Sequence, residues 1–161
     1  VLLAGAGNVT LDGSAGTGNN QFAGGTTARS ETVIFTGAGN DTVTGGRGEA
    51  TIHGSAGDDT IIAARRGGAI ITGSGNETIT LGRGRDTVEF VNGEAGGDDV
   101  LSGFRLHSDK IVLTGYGPDA ISQALASAHA VEGGVAFSLP DGTEVTVTGV
   151  SKLTSVYFQL G

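Results

Sequence analysis

The chain has 161 residues, a formal net charge of −8 and 31 glycines against two prolines. This acidity argues against a nucleic-acid partner, which needs a basic surface. Cysteine is absent, which excludes disulfides, thiolate metal sites and thiol nucleophiles, and no apolar run is long enough to span a membrane as a helix. The chain starts at Val1 with neither methionine nor a leader pattern, so it is expected to be an excised fragment of a longer protein.

From the amino terminus, Leu2, Leu11, Phe22 and Val33 recur at intervals of nine, eleven and eleven residues. Each reads as the inward residue of a short strand, with Asn20 and Glu31 two places before Phe22 and Val33. The longer intervals are assigned to extra turn residues, since turns absorb insertions better than strands do. From Val43 the interval becomes a strict nine, through Ile52, Ile61, Ile70, Ile79 and Val88. Around each lies small-Gly-x-Gly-x-acid-Thr-aliphatic-x. The clearest copies are Thr36–Thr44, Gly54–Ile62 and Thr72–Thr80.

Triplets such as Thr42-Val43-Thr44 suit a three-residue strand whose middle side chain points inward. The glycines before them permit the positive-φ turns that reverse the chain. Two units make one coil, and coils stack at about 4.8 Å. One sheet is then expected to carry Val43, Ile61 and Ile79 inward, and the opposite sheet Ile52, Ile70 and Val88. The predicted fold class is all-β, a parallel β-roll (β-solenoid) of nonapeptide repeats with a carboxy-terminal hairpin and short-helix cap.

These tandem nonapeptides resemble the RTX (repeats-in-toxin) family, whose G-G-x-G-x-D-x-U-x unit forms a calcium-binding parallel β-roll. The resemblance covers about residues 1–100 by repeat and implies Ca2+ as the bound ion. The acid position reads Asp41, Asp59, Glu77 on one edge but Ala50, Gly68, Asp86 on the other. By the family pattern, one ion draws on Gly37, Gly39, Asp41, Gly54, Ala56 and Asp59. A second draws on Ser55, Gly57, Asp59, Thr72, Ser74 and Glu77, with Glu77 departing from the family's Asp. The acidic corner Glu94–Asp99 offers a third place, with Asp99 facing Glu77.

The acid-poor edge carries Arg47, Arg65 and Arg83, eighteen residues apart, with Arg29, Arg66 and Arg85 nearby. Two readings stand side by side. Either Glu31, Glu49 and Asp86 interleave as salt bridges, or the row is a strip for an anionic polysaccharide or cell surface. The outward threonines Thr42, Thr60 and Thr78 read as a β-propensity ladder.

Beyond Val91 the rhythm breaks. Asp98–Phe104 and Ser108–Gly115 are expected to pair around a turn, a combination that resembles the segment closing RTX solenoids. Residues 118–131 predict a short amphipathic helix. Residues 135–139 and 145–147 flank Pro140-Asp141-Gly142 as a hairpin. The expected division is a roll over 1–97 and a cap over 98–161, and the resemblance implies that this cap region also carries the export signal. No H-E-x-x-H, G-x-S-x-G or phosphate-binding loop occurs, and His53, His107 and His129 form no motif, so no enzyme is expected. The resemblance implies a secreted module at the carboxy terminus of a type I-exported bacterial protein, with calcium and the type I secretion apparatus as partners. The alternative is a carbohydrate-binding accessory module of a secreted enzyme or adhesin.

Overall fold

The computed structural model describes all 161 residues. The first ten strands alternate between two sheets. They are β1 (Leu2–Leu3), β2 (Val9–Asp12), β3 (Gln21–Ala23), β4 (Glu31–Phe35), β5 (Thr42–Thr44), β6 (Glu49–His53), β7 (Thr60–Ile62), β8 (Gly67–Ile71), β9 (Thr78–Thr80) and β10 (Arg85–Val91). The chain continues through β11 (Asp98–Ser102), β12 (Lys110–Thr114), helix α1 (Ala120–Ser127), β13 (His129–Val131), β14 (Gly134–Ser138), β15 (Glu144–Thr148) and β16 (Phe158–Leu160). One sheet runs β1-β3-β5-β7-β9-β11-β15-β14-β13 and the other β16-β12-β10-β8-β6-β4-β2. All pairings are parallel except β13–β14 and β14–β15. This is the expected all-β parallel solenoid, with one short helix.

Between the sheets lie two facing columns of apolar side chains. One runs Phe22, Val43, Ile61, Ile79, Leu101 and Val147, each paired with the next. The other runs Leu11, Ile34, Ile52, Ile70, Val88, Ile111 and Phe158. Every member is buried. In a three-residue strand only the middle side chain can reach the interior, because successive side chains point to opposite faces; β5, β7 and β9 all show this exposed-buried-exposed pattern.

Three local expectations shift. Ile34, rather than Val33, is the inward residue of β4, and it faces Ile52. The slot two residues earlier therefore belongs to buried Thr32, whose hydroxyl accepts the Gly25 N–H at 3.0 Å, and Glu31 is left exposed. The turn before β4 is longer than a repeat turn and moves the register by one, which exchanges inward for outward side chains. Second, β11 and β12 do not pair with each other. β11 lies on β9 and β12 on β10, as successive rungs of opposite sheets. Third, the helix stops at Ser127, because residues 129–131 hydrogen-bond to β14 as a strand. The hairpin of β14 and β15 forms as expected, and Phe137 packs edge-on against Phe158 at 5.3 Å.

Coils this close leave no room for a side chain at some turn positions. A Cβ at Gly84 would stand 1.8 Å from the Arg66 carbonyl carbon and 2.0 Å from the Gly67 nitrogen. Backbone cannot swing away as a flexible side chain can. Gly84→Ala should therefore lower stability by about 1–3 kcal/mol. Gly117→Ala, with nothing within 4 Å, should change it by less than about 0.5 kcal/mol. Denaturant midpoints of the two variants in saturating calcium check this.

Candidate metal-binding edge

The turns before β5, β7, β9 and β11 stack in register through backbone bridges at Ala38, Ala56, Ser74 and Gly96. Gly57 adopts φ +116°, a backbone conformation that glycine enters without the steric cost of a side chain. A Cβ there would meet the Gly39 carbonyl oxygen at 2.6 Å. These turns aim the acid of each repeat into the space between coils. Asp41, Asp59, Glu77 and Asp99 are all buried, each about 1 % exposed.

The acids are held by the backbone of the coil before them. Asn20 N–H donates to Asp41 Oδ1 at 2.5 Å, Asp41 N–H to Asp59 Oδ1 at 2.8 Å, and Glu77 N–H to Asp99 Oδ1 at 2.8 Å. The link from Asp59 N–H to Glu77 is missing, and both Glu77 carboxyl oxygens lack a hydrogen-bond partner. The extra methylene of Glu77 carries its carboxyl past the position an aspartate would occupy. Asp41 Oδ2 and Asp99 Oδ2 are orphaned too. Asp59 Oδ2 receives only a long bond from the Thr36 hydroxyl, at 3.4 Å.

Buried carboxyl oxygens without donors are costly. Burial accordingly pushes Asp59 up to about 6, with help from the neighbouring Asp41 charge, and raises Asp41 as well. Glu77 and Asp99 are also raised, chiefly by burial; for Glu77 the adjacent Asp99 carboxylate adds to it. No lysine or arginine forms an ion pair with any of the four. A hard divalent cation suits such a set, since it takes six to eight oxygens, backbone carbonyls included.

No three acidic or histidine side chains converge at one point. The acids come as stacked pairs, so further donors have to be main-chain oxygens. Of the residues assigned to the first ion by resemblance, Gly39 and Gly54 have carbonyls that accept no hydrogen bond, whereas those of Gly37 and Ala56 accept the N–H groups of Ala56 and Gly39. For the second ion, Gly57 and Thr72 are free, while Ser55 and Ser74 accept N–H groups from Ser74 and Gly57. A carbonyl has two lone pairs, so the occupied ones retain one.

A second column beside the acids went unread in the sequence. Asp58 N–H donates to Asn40 Oδ1, Asn76 N–H to Asp58 Oδ1 and Asp98 N–H to Asn76 Oδ1, at 2.8 to 3.0 Å. It starts where Asn40 N–H meets Asn19 Oδ1 at 3.0 Å. This exposed Asn/Asp ladder runs one residue before the acids and stitches the coils in the opposite sense. Its signal was present: the residue preceding each of Asp41, Asp59, Glu77 and Asp99 is Asn or Asp.

The other edge is built differently. Asp86 and Asp109 stack there as the acids do, with Asp86 N–H on Asp109 Oδ1 at 3.1 Å. The guanidinium of Arg105 lies against Asp109 at 3.4 Å and also donates to the Gly84 carbonyl. That is the molecule's one ion pair; it serves Asp109, while Asp86 Oδ1 stays buried without a partner. Arg47, Arg65 and Arg83 are exposed and unpaired, and the salt bridges expected with Glu31, Glu49 and Asp86 do not form.

The raised acids fix a sign for pH dependence. A carboxyl whose folded value exceeds its unfolded one stabilises the fold fully below the unfolded value, and that contribution is lost as pH rises through the folded value. Burial also lifts Asp86 to about 6. In chelator the melting temperature should therefore fall as pH rises from about 4 through about 6, the range set by Asp59 and Asp86. In excess calcium it should instead rise with pH, because protons compete with the ion for the same oxygens. Thermal melts across that range in both buffers check it.

Residues 35–65 and 70–89 match the RTX calcium-binding nonapeptide repeat, in four copies. No curated protein matches the chain. Among solved structures, the extracellular lipase LipA from Serratia marcescens is similar at 16% identity and a TM-score of 0.38, over 97% of this chain and 40% of that one. The chain thus spans well under half the length of that lipase. The repeat is a structural calcium-binding unit and not a catalytic one, and the segments 35–65 and 70–89 are RTX calcium-binding repeats set within a parallel β-solenoid.

Proposed function

We propose that the chain is a non-catalytic, calcium-induced folding module of a secreted extracellular protein, placed at its carboxy terminus and exported by a type I secretion apparatus. The carrying observation is the stack of buried carboxylates whose oxygens lack donors: Asp41 Oδ2, both oxygens of Glu77 and Asp99 Oδ2. Such a core edge is unfavourable until positive charge reaches it.

In this reading the first ion is held by Asp41 and Asp59 with the carbonyls of Gly37, Gly39, Gly54 and Ala56. The second is held by Asp59 and Glu77 with those of Ser55, Gly57, Thr72 and Ser74, and Asp99 with Glu77 forms a third place. When bound, calcium supplies the charge and the coordination that the turns lack. The chain's own residues supply the rest: glycine turns that bring carbonyls close, stacked acids, and an apolar column that closes once the turns are set. Residues 1–97 act as the calcium-responsive roll, and residues 98–161 cap it and carry the export signal.

Metal-binding free energy is then folding free energy. At low intracellular calcium the roll stays open and passes a channel; at about millimolar extracellular calcium even weak sites fill. Circular dichroism during a calcium titration tests this. At neutral pH, where Asp59 is charged, strand signal should appear with calcium and vanish in chelator. Asp59→Asn, which takes a charge from both of the first two sites, should raise the calcium midpoint at least tenfold (about 1.4 kcal/mol). A chain that keeps its full strand signal in chelator at neutral pH, or an Asp59→Asn midpoint equal to the parent's, would overturn the proposal.

A further inference from the structure

The unpaired arginines are the largest charged feature that calcium binding does not use. Arg47, Arg65 and Arg83 sit at the same place in three successive coils, three residues beyond the paired positions Thr44, Ile62 and Thr80. Their backbones are pinned: Arg47 N–H donates to the Gly25 carbonyl at 2.9 Å and Arg65 N–H to that of Gly46 at 3.0 Å. With Arg66, Thr26 and Thr27 they line one open groove of about 550 Å³. Neither Glu31 nor Glu49, which border the adjoining hollow with Arg29 and Arg66, comes within ion-pair distance of an arginine.

Rungs of a sheet lie about 4.8 Å apart. Guanidinium groups carried on backbones at that interval repel one another, and no carboxylate forms an ion pair with them. We propose that this groove binds a linear carboxylated polysaccharide laid along the stacking axis, with its carboxylates meeting guanidinium groups along the row. Three features select that occupant. A row over three coils suits a polymer better than a single small anion, which would reach one or two of its members. The planar fork of arginine matches a carboxylate through paired hydrogen bonds, and Thr26 and Thr27 add hydroxyls suited to sugar. No aromatic side chain lines the groove, so the stacking platforms that hold single-stranded nucleic acid are missing, and the net charge of −8 disfavours so dense a polyanion.

The site lies on the edge away from Asp41, Asp59 and Glu77, so it stands or falls apart from the calcium assignments. Hyaluronate oligosaccharides are the probe, with neutral dextran and a single-stranded oligodeoxynucleotide alongside, all titrated into the calcium-loaded chain. Hyaluronate should bind and weaken as salt rises, while dextran should not bind. The triple variant Arg47→Gln, Arg65→Gln, Arg83→Gln should lose at least tenfold in affinity with an unchanged calcium titration by circular dichroism, and the corresponding triple lysine variant should lose less. If the triple glutamine variant fails to fold, Arg65→Gln alone should still cost about threefold. Undiminished hyaluronate binding by a folded variant, equal binding of dextran, or tighter binding of the oligonucleotide would each overturn the proposal.

Discussion

Stacked parallel coils bring identical positions of successive repeats to within one strand spacing, and in this chain the position that matters most is a carboxylate. Asp41, Asp59, Glu77 and Asp99 are packed above one another on a buried edge. Three of the four leave at least one oxygen with no donor. Repetition is the cause. A side chain that repeats along a solenoid meets its own kind, so any charge is multiplied by the geometry. Aliphatic residues benefit from that rule and make the two continuous columns of the core. Acids are penalised by it unless a cation is interleaved, and the remainder of the fold is arranged around this requirement.

The two edges answer it in different ways. On the acid edge the turns are kept small by glycine, so carbonyls such as those of Gly39 and Gly57 lie close to the next coil, and the acids are organised by N–H donors from the coil before. Donors and acids of this kind suit a hard divalent ion. On the opposite edge Ala50 and Gly68 have no charge to balance. Where acids return, Arg105 stands against Asp109, and Asp86 Oδ1 is left without a partner. The first edge has no cation of its own, whereas the second carries one beside Asp109. The arginine row belongs to the second edge, where the acid slots of the coils at Arg47 and Arg65 hold Ala50 and Gly68.

At the carboxy-terminal end the solenoid meets another need. The parallel rungs β15 and β16 would leave open edges if the pattern simply stopped. Instead β15 turns back through an antiparallel hairpin to β14 and β13, and α1 packs beside β14 and β16. Phe137 and Phe158 widen the core where the hairpin sheet faces the last strand. The switch from parallel coils to a hairpin is the switch from repeated to unique sequence, because only unrepeated side chains can fill a non-repeating space.

Much of this was written in one dimension. The nine-residue interval determined by itself the strand length, the inward residues from Val43 to Val88, the two-sheet partition and the acid edge, since a period of that kind admits only a stacked coil. The hairpin around Pro140-Asp141-Gly142 was likewise local. What the sequence could not decide were matters that depend on how coils sit on one another. Register across the longer turn before β4 placed Ile34 inside and Thr32 in the acid slot, because strand pairing and not interval counting sets which face is buried. The assignment of β11 and β12 to opposite sheets was made by the coils beneath them. The Asn/Asp ladder from Asn19 to Asp98 became visible only when consecutive turns were stacked. Whether the arginines find partners was also a tertiary question: Glu31 and Glu49 are near them in sequence, but an ion pair needs a distance, and only the folded edge determines it.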